Sequence, residues 1–363
     1  MKNYYKYFKP ALFSLPAETS HNMAVWAMSN NILPKQEFYR NSILKQTLFG
    51  IEFANPVGMA AGFDKNARCL EALSNQNFGF AEIGTTTPVP QSGNPKPRLF
   101  RIKEDEAVVN RMGFNNEGVE IYSQRLRKWK YAGVGKCEMV VGANIGKNKD
   151  SANDSSDYLT CFDKVYDLCD YVTINISSPN TPNLRELQKK ESLDALLKDI
   201  NNRKKEFISK NKKNTPILVK ISPDENDENL SDIAEVIINN NIAGVIISNT
   251  SIKSSLINNS GFAENKISGG ISGKPLLKLS TQTQEKFYKI TEGKVPIIGV
   301  GGIFSAQDAY EKICKGASLV QIYSAFIYKG FGLVNEINKG LAELLEADGF
   351  ENITQAIGSK VVR

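Results

Sequence analysis

Pro296–Gly302 reads PIIGVGG. A short run that is apolar at successive positions and closed by glycines has the pattern of a strand buried on both faces. Working outward, runs of the same kind recur at Pro56–Ala60, Phe80–Gly84, Met139–Ala143, Tyr171–Asn175, Ile217–Ile221, Gly244–Ser248 and Ser318–Ile322, eight in all. Between most of them lie longer stretches of helical period, such as Ser192–Lys210, Asp227–Asn239 and Ser305–Lys315. Strands that alternate with helices imply a parallel sheet, and eight units over about 250–300 residues fit a closed (β/α)8 TIM barrel better than an open doubly wound sheet. The fold class is therefore α/β. Two inserts break the rhythm: Pro88–Phe114, expected as an extended, Pro-rich excursion, and Ser177–Lys190, a long loop. In such barrels, long loops after strand ends are where sites are built.

The chain has 363 residues, 41% hydrophobic and 23% charged, as is ordinary for a globular protein. No apolar run approaches the roughly 18 residues of a membrane span, and the first thirty residues lack a secretory pattern. Cys69, Cys137, Cys161, Cys169 and Cys314 are scattered without a C-x-x-C pair, and His21 is the single histidine. That excludes a disulfide framework and argues against a metal site. The net charge is +6, and residues 1–47 carry six Lys/Arg against two Glu, or +4, leaving +2 for the rest. A nucleic-acid binder would concentrate cations on its main domain, so no nucleic-acid partner is expected. The basic end also holds Tyr4, Tyr5, Tyr7, Phe8, Leu12, Phe13, Trp26 and Met28. Two readings stay open on composition: a helix lying on an anionic membrane surface, or one packed on the body with its lysines solvated.

The glycines of PIIGVGG and Tyr323-Ser324, at the end of the next strand, can present backbone N–H groups to a phosphate. A Rossmann fingerprint fails because Phe304 stands where its last glycine belongs, and a Walker loop fails because Pro275 follows Gly273-Lys274. What remains is a barrel phosphate site suited to a mononucleotide. At the other strand ends stand Lys65, Asn144, Lys147, Asn175, Lys220 and Ser248-Asn249-Thr250. Amide and ammonium groups converging on one mouth suit a planar, amide-rich ring on which negative charge develops. Few carboxylates accompany them, which argues against a divalent metal and a glycosidase pair. The loop NISSPNTPNLR (Asn175–Arg185) offers serines, but without a G-x-S-x-G elbow a hydrolase triad does not fit. The residues alone lead to a phosphate-bearing cofactor in a barrel with an amide-reading pocket.

Nine motifs in series carry the reading further. They are NPVGMAAGFDKN (Asn55–Asn66), EIGTTTPVPQSGNPKPRLFR (Glu82–Arg101), NRMGFNN (Asn110–Asn116), NIGKNK (Asn144–Lys149), NISSPNTPNLR, VKISPD (Val219–Asp224), SNTS (Ser248–Ser251), GGISGKPL (Gly269–Leu276) and IIGVGGIFS (Ile297–Ser305). In this order the chain resembles the class 2, quinone-dependent dihydroorotate dehydrogenases from about residue 10 onward. The resemblance implies oxidation of dihydroorotate to orotate on FMN, with ubiquinone or menaquinone as acceptor, in pyrimidine biosynthesis. It implies a helical membrane and quinone-access module over residues 1–40 and an FMN-binding barrel over 41–363. A peripheral place on the cytoplasmic face of the cell membrane follows as an expectation.

Carried over by position, Ala61, Gly62, Phe63, Asp64, Lys65, Thr85, Asn144, Asn175, Lys220 and Ser248 would surround the flavin ring and ribityl chain. Gly273, Gly302, Tyr323 and Ser324 would hold its phosphate. Lys65, Asn110, Arg111, Met112, Gly113, Phe114, Asn175, Asn180, Asn249 and Thr250 would hold dihydroorotate. Ser178 matches the catalytic base, its proton path expected through a water held by Thr181 against Phe114, and His21 and Arg101 match positions near the quinone head group. The soluble class 1 enzymes use a cysteine base, and no cysteine lies in Asn175–Arg185. Ser248 departs from the family's usual threonine, keeping the hydroxyl and losing a methyl.

Overall fold

The computed structural model describes residues 5–131, 138–210, 213–258 and 267–362; Cys137 and the first four residues, Tyr4 among them, lie outside these ranges. Eight parallel strands form a closed barrel: β3 (Val57–Met59), β4 (Phe80–Thr86), β7 (Val140–Ile145), β8 (Tyr171–Asn175), β9 (Ile217–Ile221), β10 (Gly244–Ile247), β12 (Ile297–Val300) and β13 (Ala317–Ile322). Around the barrel the order is β3, β4, β7, β8, β9, β10, β12, β13, closing from β13 back to β3. Each of the eight apolar runs read from the sequence is one of these strands, and the expected barrel is the observed one.

The helices pack their apolar faces on the outside of the barrel. The Asp227–Asn239 helix is typical: Leu230, Ile233, Ala234 and Ile237 are buried at helical spacing. Asn226 caps it, its side chain accepting from the Asn229 N–H, and Asp227 and Glu228 in the first turn complement the dipole.

Inside the barrel the strands alternate in layers. The lowest layer is apolar: Phe80, Val140, Tyr171, Leu218, Ile246, Ile298 and Leu319 pack with Phe53. Phe53 comes from an antiparallel hairpin, β1 (Gln46–Leu48) and β2 (Ile51–Phe53), that plugs the N-terminal end. Its two turn residues, Phe49 and Gly50, both have positive φ, as a tight hairpin turn requires.

Pro88–Phe114 does not stay an open excursion. It contains β5 (Leu99–Ile102) and β6 (Ala107–Asn110), which form a three-stranded antiparallel sheet with β11 (Gly270–Gly273). The Ser177–Lys190 loop carries one short 3-10 turn, Leu184–Gln188. Of the N-terminal helices α1 (Tyr5–Ser14) and α2 (Ala17–Ser29), α2 packs against β5 and the Leu70–Asn75 helix, while α1 packs on α2 and on the Ser324–Lys329 helix.

Gly142 faces the barrel interior, where a Cβ would stand 2.1 Å from the Tyr171 ring. Gly142→Ala should therefore cost about 1–3 kcal/mol by overpacking and lower the melting temperature by several degrees. A thermal melt superimposable on that of the wild type would contradict this packing.

Candidate active site

Above the apolar layer the interior turns polar, and the groups meet across the barrel. Glu82 of β4 is wholly buried. Its Oε1 accepts from Asn144 Nδ2 at 2.7 Å, while its Oε2 accepts from Thr173 Oγ1 at 3.1 Å and Gln321 Nε2 at 3.2 Å. Lys220 Nζ lies 3.6 Å from Oε1. The network continues upward, with Thr85 Oγ1 donating to Asn144 Oδ1 at 2.5 Å and Asn175 Nδ2 donating to Thr85 Oγ1 at 2.9 Å. Asn144 and Asn175 thus have their amides oriented by one buried carboxylate, and little is left free to rotate.

The next layer is the pocket itself. Lys65, Thr85, Asn110, Met112, Gly113, Phe114, Asn175, Ser178, Asn180, Lys220, Ser248, Asn249 and Thr250 line it together with Ala61, Gly62 and His21. The Ser178 loop is held by Arg185, whose guanidinium donates to the carbonyl oxygens of Ser177 and Thr250 and pairs with Asp224 at 3.0 Å. Asn180 Nδ2 donates to Asn110 Oδ1 at 3.1 Å, joining the loop to β6. Ser178 is buried, and its Oγ accepts the Asn180 N–H at 3.3 Å. Nearby, Thr181 is buried with its Oγ1 unpartnered among the described residues.

The opposite end of the same pocket is built of backbone and hydroxyls. Gly273, Gly301, Gly302, Ser272, Tyr323 and Ser324 line it, and Ser272 and Ser324 hydroxyls stand 3.0 Å apart. Gly302 has φ +77, and a Cβ there would meet the Leu277 backbone at 2.4 Å, so only glycine fits against the start of the Leu276–Ile290 helix. Backbone N–H groups converging at a helix start favour an anion. Apolar Val300, Ile303 and Ile322 line the same pocket. Glycines and hydroxyls, apolar side chains, amides and a lysine in one pocket fit a flavin mononucleotide in donor type.

Burial, and then the charge of Lys65, hold the His21 imidazole down at about 3, so this ring is neutral. Lys65 donates to the Gly62 carbonyl at 2.7 Å. Its own proton is loosened, to about 8, first by burial and then by Arg98, while Glu18 and Asp64 pull the other way. Arg98 bonds Glu18 of α2 at 2.8 Å and also the Asn94 carbonyl at 2.8 Å, tying the N-terminal helices to the loop beside Asn180.

Several expected residues do not reach the pocket wall. Asn144 stands one layer below it, in the network described above. Phe63 packs edge-on against His21, Tyr323 and Phe326. Asp64 turns back to accept the N–H groups of Asn66, Arg68 and Cys69, shaping the turn that presents Lys65. Arg111 points away, donating to the Pro97 carbonyl and to Ser268 Oγ while its guanidinium stacks over Phe100. Arg101 reaches the carbonyl oxygens of Leu12 and Leu15 under α1, over the Phe13 ring. Lys147 is not at the mouth: it pairs with Asp154 at 2.9 Å. Glu82, Gln321 and Ser272 were not anticipated. The one signal for Glu82 and Gln321 is a polar residue inside an otherwise apolar strand.

The chain is similar to known proteins over most of its length. The Dihydroorotate dehydrogenase family model matches residues 43–345. A dihydroorotate dehydrogenase (quinone) of Allorhizobium ampelinum is 44% identical over 98% of this chain and 96% of its own length. That of Aeromonas hydrophila is 47% identical over 90% of this chain and 96% of its own. The structure of DHODH from Eimeria tenella in complex with ferulenol superimposes with a TM-score of 0.88 at 36% identity, covering 94% of this chain and 95% of that one.

Because the Lys65 ammonium is lost as pH rises through about 8, affinity for a carboxylate ligand such as orotate should fall above that pH, by at most about tenfold per unit. Calorimetric titration with orotate from pH 6 to 10 checks this; a flat profile would show that Lys65 does not bind the anion.

Proposed function

The chain belongs to the dihydroorotate dehydrogenase family, and from that premise we propose that its pocket seats FMN across the barrel mouth with dihydroorotate under the Ser178 loop. The reaction is oxidation of dihydroorotate to orotate with a quinone as electron acceptor, and enzymes of this family are flavin-dependent. The observation that carries the finer reading is the continuity of one pocket. The glycine and serine end lies at one extreme, the Asn110, Asn180 and Asn249 amides at the other, and Ser178 beside those amides.

Bound there, the flavin supplies the hydride acceptor for C6 of the substrate. The chain's own task is the C5 proton. Ser178 Oγ takes it, and the hydroxyl's own proton passes in the same event to a water molecule beside it, because an alcohol alone is a poor base at neutral pH. Thr181, three residues along the same loop and buried with its hydroxyl unpartnered among the described residues, would hold that water against Phe114. The asparagine amides hold the substrate ring in its plane, which converts a collision into a fixed approach. Lys65 offsets the substrate carboxylate, and Lys220 faces the pocket where negative charge accumulates.

The quinone would enter beside His21, between the helices and the flavin edge, with Arg101 holding the end of α1. Tyr7, Phe8, Met23 and Trp26 of the two helices are all at least 47% exposed. Glu18, by contrast, is turned inward on Arg98, which leaves the outer surface aromatic and basic. That composition suits an anionic bilayer surface, and no helix among the described residues is long and apolar enough to cross it. Residues 1–40 are thus read as the membrane and quinone module, on the cytoplasmic face of the cell membrane.

Anaerobic titration of the yellow protein with dihydroorotate should bleach the flavin absorbance, and ubiquinone analogues, unlike fumarate or NAD, should restore it. Ser178→Ala should retain FMN and slow the bleaching by about 10²–10⁴-fold at neutral pH; a near-normal rate would remove Ser178 from the role of base. Flotation with anionic liposomes should require residues 1–40, and equal flotation of the shortened chain would sink the membrane reading.

A further inference from the structure

We propose that Glu82 is a positioning residue that sets how much of the Lys220 charge the flavin feels, and thereby the flavin's reduction potential. The inference rests on the placement of FMN argued above.

Glu82 sits at the centre of the barrel with its side chain fully buried. Every group that touches its oxygens is a donor: the amides of Asn144 and Gln321, the Thr173 hydroxyl and the Lys220 ammonium. Oε1 is bracketed by the Asn144 amide nitrogen and the Lys220 ammonium, which can only donate, and we take Glu82 as the carboxylate, the form that pairs with Lys220. An ionised carboxylate in such a place demands compensation. Lys220 supplies it, with a side chain only 6% exposed and Nζ 3.6 Å from Oε1.

That distance is longer than a hydrogen bond, and Glu82 is the only acidic side chain that pairs with Lys220 among the described residues. The lysine lines the pocket and its ammonium stands 3.6 Å from the carboxylate, so the ligand space adjoins the ion pair. The flavin side of the pair therefore faces a dipole rather than an isolated cation. The same carboxylate fixes the amide of Asn144, which through Thr85 orients Asn175 in the pocket wall. A reduced flavin carries more negative charge than an oxidised one. A bare Lys220 would hold the reduced form too tightly for easy return of electrons to quinone, and Glu82 tempers that hold.

Glu82→Gln should shift the ratio of reduced to oxidised flavin affinity at least tenfold toward the reduced form. A tenfold change in that ratio is about +30 mV for a two-electron couple. Midpoint potentials of the flavin-loaded proteins are read spectroscopically against reference dyes. Glu82→Asp, which keeps the charge, should stay within about threefold of the wild-type ratio. In a Lys220→Gln background the same Glu82→Gln change should shift the ratio less than about threefold, since the effect runs through the lysine. An unshifted or lowered midpoint in Glu82→Gln overturns the proposal. So does an equal shift in Glu82→Asp, which would mark a packing role, or an undiminished shift without Lys220. Should Glu82→Gln fail to fold, recovery of folding in Glu82→Gln/Lys220→Gln supports the charge pairing and continued failure overturns it. A wild-type protein that takes up no flavin would instead refute the underlying placement of FMN.

Discussion

Closure of the eight-stranded ladder governs everything above it. Once β13 pairs with β3, no strand edge remains open, all eight C-terminal ends arrive at one rim, and inward-facing residues at every second position are forced into shared layers. The lowest layer can be filled by rings only because glycines stand beside them, Gly58 against Phe80 and Gly142 against Tyr171. Two residues further along the same strands, Phe80 gives way to Glu82 and Tyr171 to Thr173. The pleat thus converts an apolar plug into a polar floor within one repeat, roughly 7 Å of strand rise.

A polar layer inside a barrel is stable only if its members satisfy one another. Here Glu82 accepts from three side chains while Thr85, Asn144 and Asn175 link hydroxyl to amide above it. The consequence is functional. An amide that could flip would offer a ring ligand a donor or an acceptor at random; one anchored from below offers a fixed pattern. The pocket's selectivity is therefore set a layer beneath the surface that touches the ligand.

The strands were legible because parallel barrel strands, buried on both faces, read as unbroken apolar runs. The same property hid the interior layers, since no alternation marks which residue turns inward, and Glu82 and Gln321 passed as exceptions within β4 and β13. The sheet of β5, β6 and β11 was invisible for another reason. Gly270–Gly273 reads GISG, with little strand preference of its own, and its pairing with Ala107–Asn110 spans some 160 residues of chain. Lys147 misled because position after a strand end does not fix direction. Asp154, at the start of the next helix, is a nearer partner than the mouth and captures it. That Gly273, Gly301 and Gly302 come together in one pocket is legible because glycines at positive φ leave a mark in sequence that oriented amides do not.

The joint between the helices and the barrel is more than packing. Arg98 is 7% exposed in its side chain and serves two masters: Glu18 from α2, and the backbone oxygens of Ser92 and Asn94 in the loop that precedes β5. Asn94 in turn donates to the Asn180 carbonyl, two residues beyond Ser178. Removing Glu18 would leave a buried guanidinium short of its counter-charge, a cost of several kcal/mol for pairs so enclosed, and the Ser178 loop would bear part of the adjustment. The N-terminal helices and the Ser178 loop therefore share one ion pair, and the helices are mechanically joined to the pocket, to whose wall they contribute only His21 among the described residues.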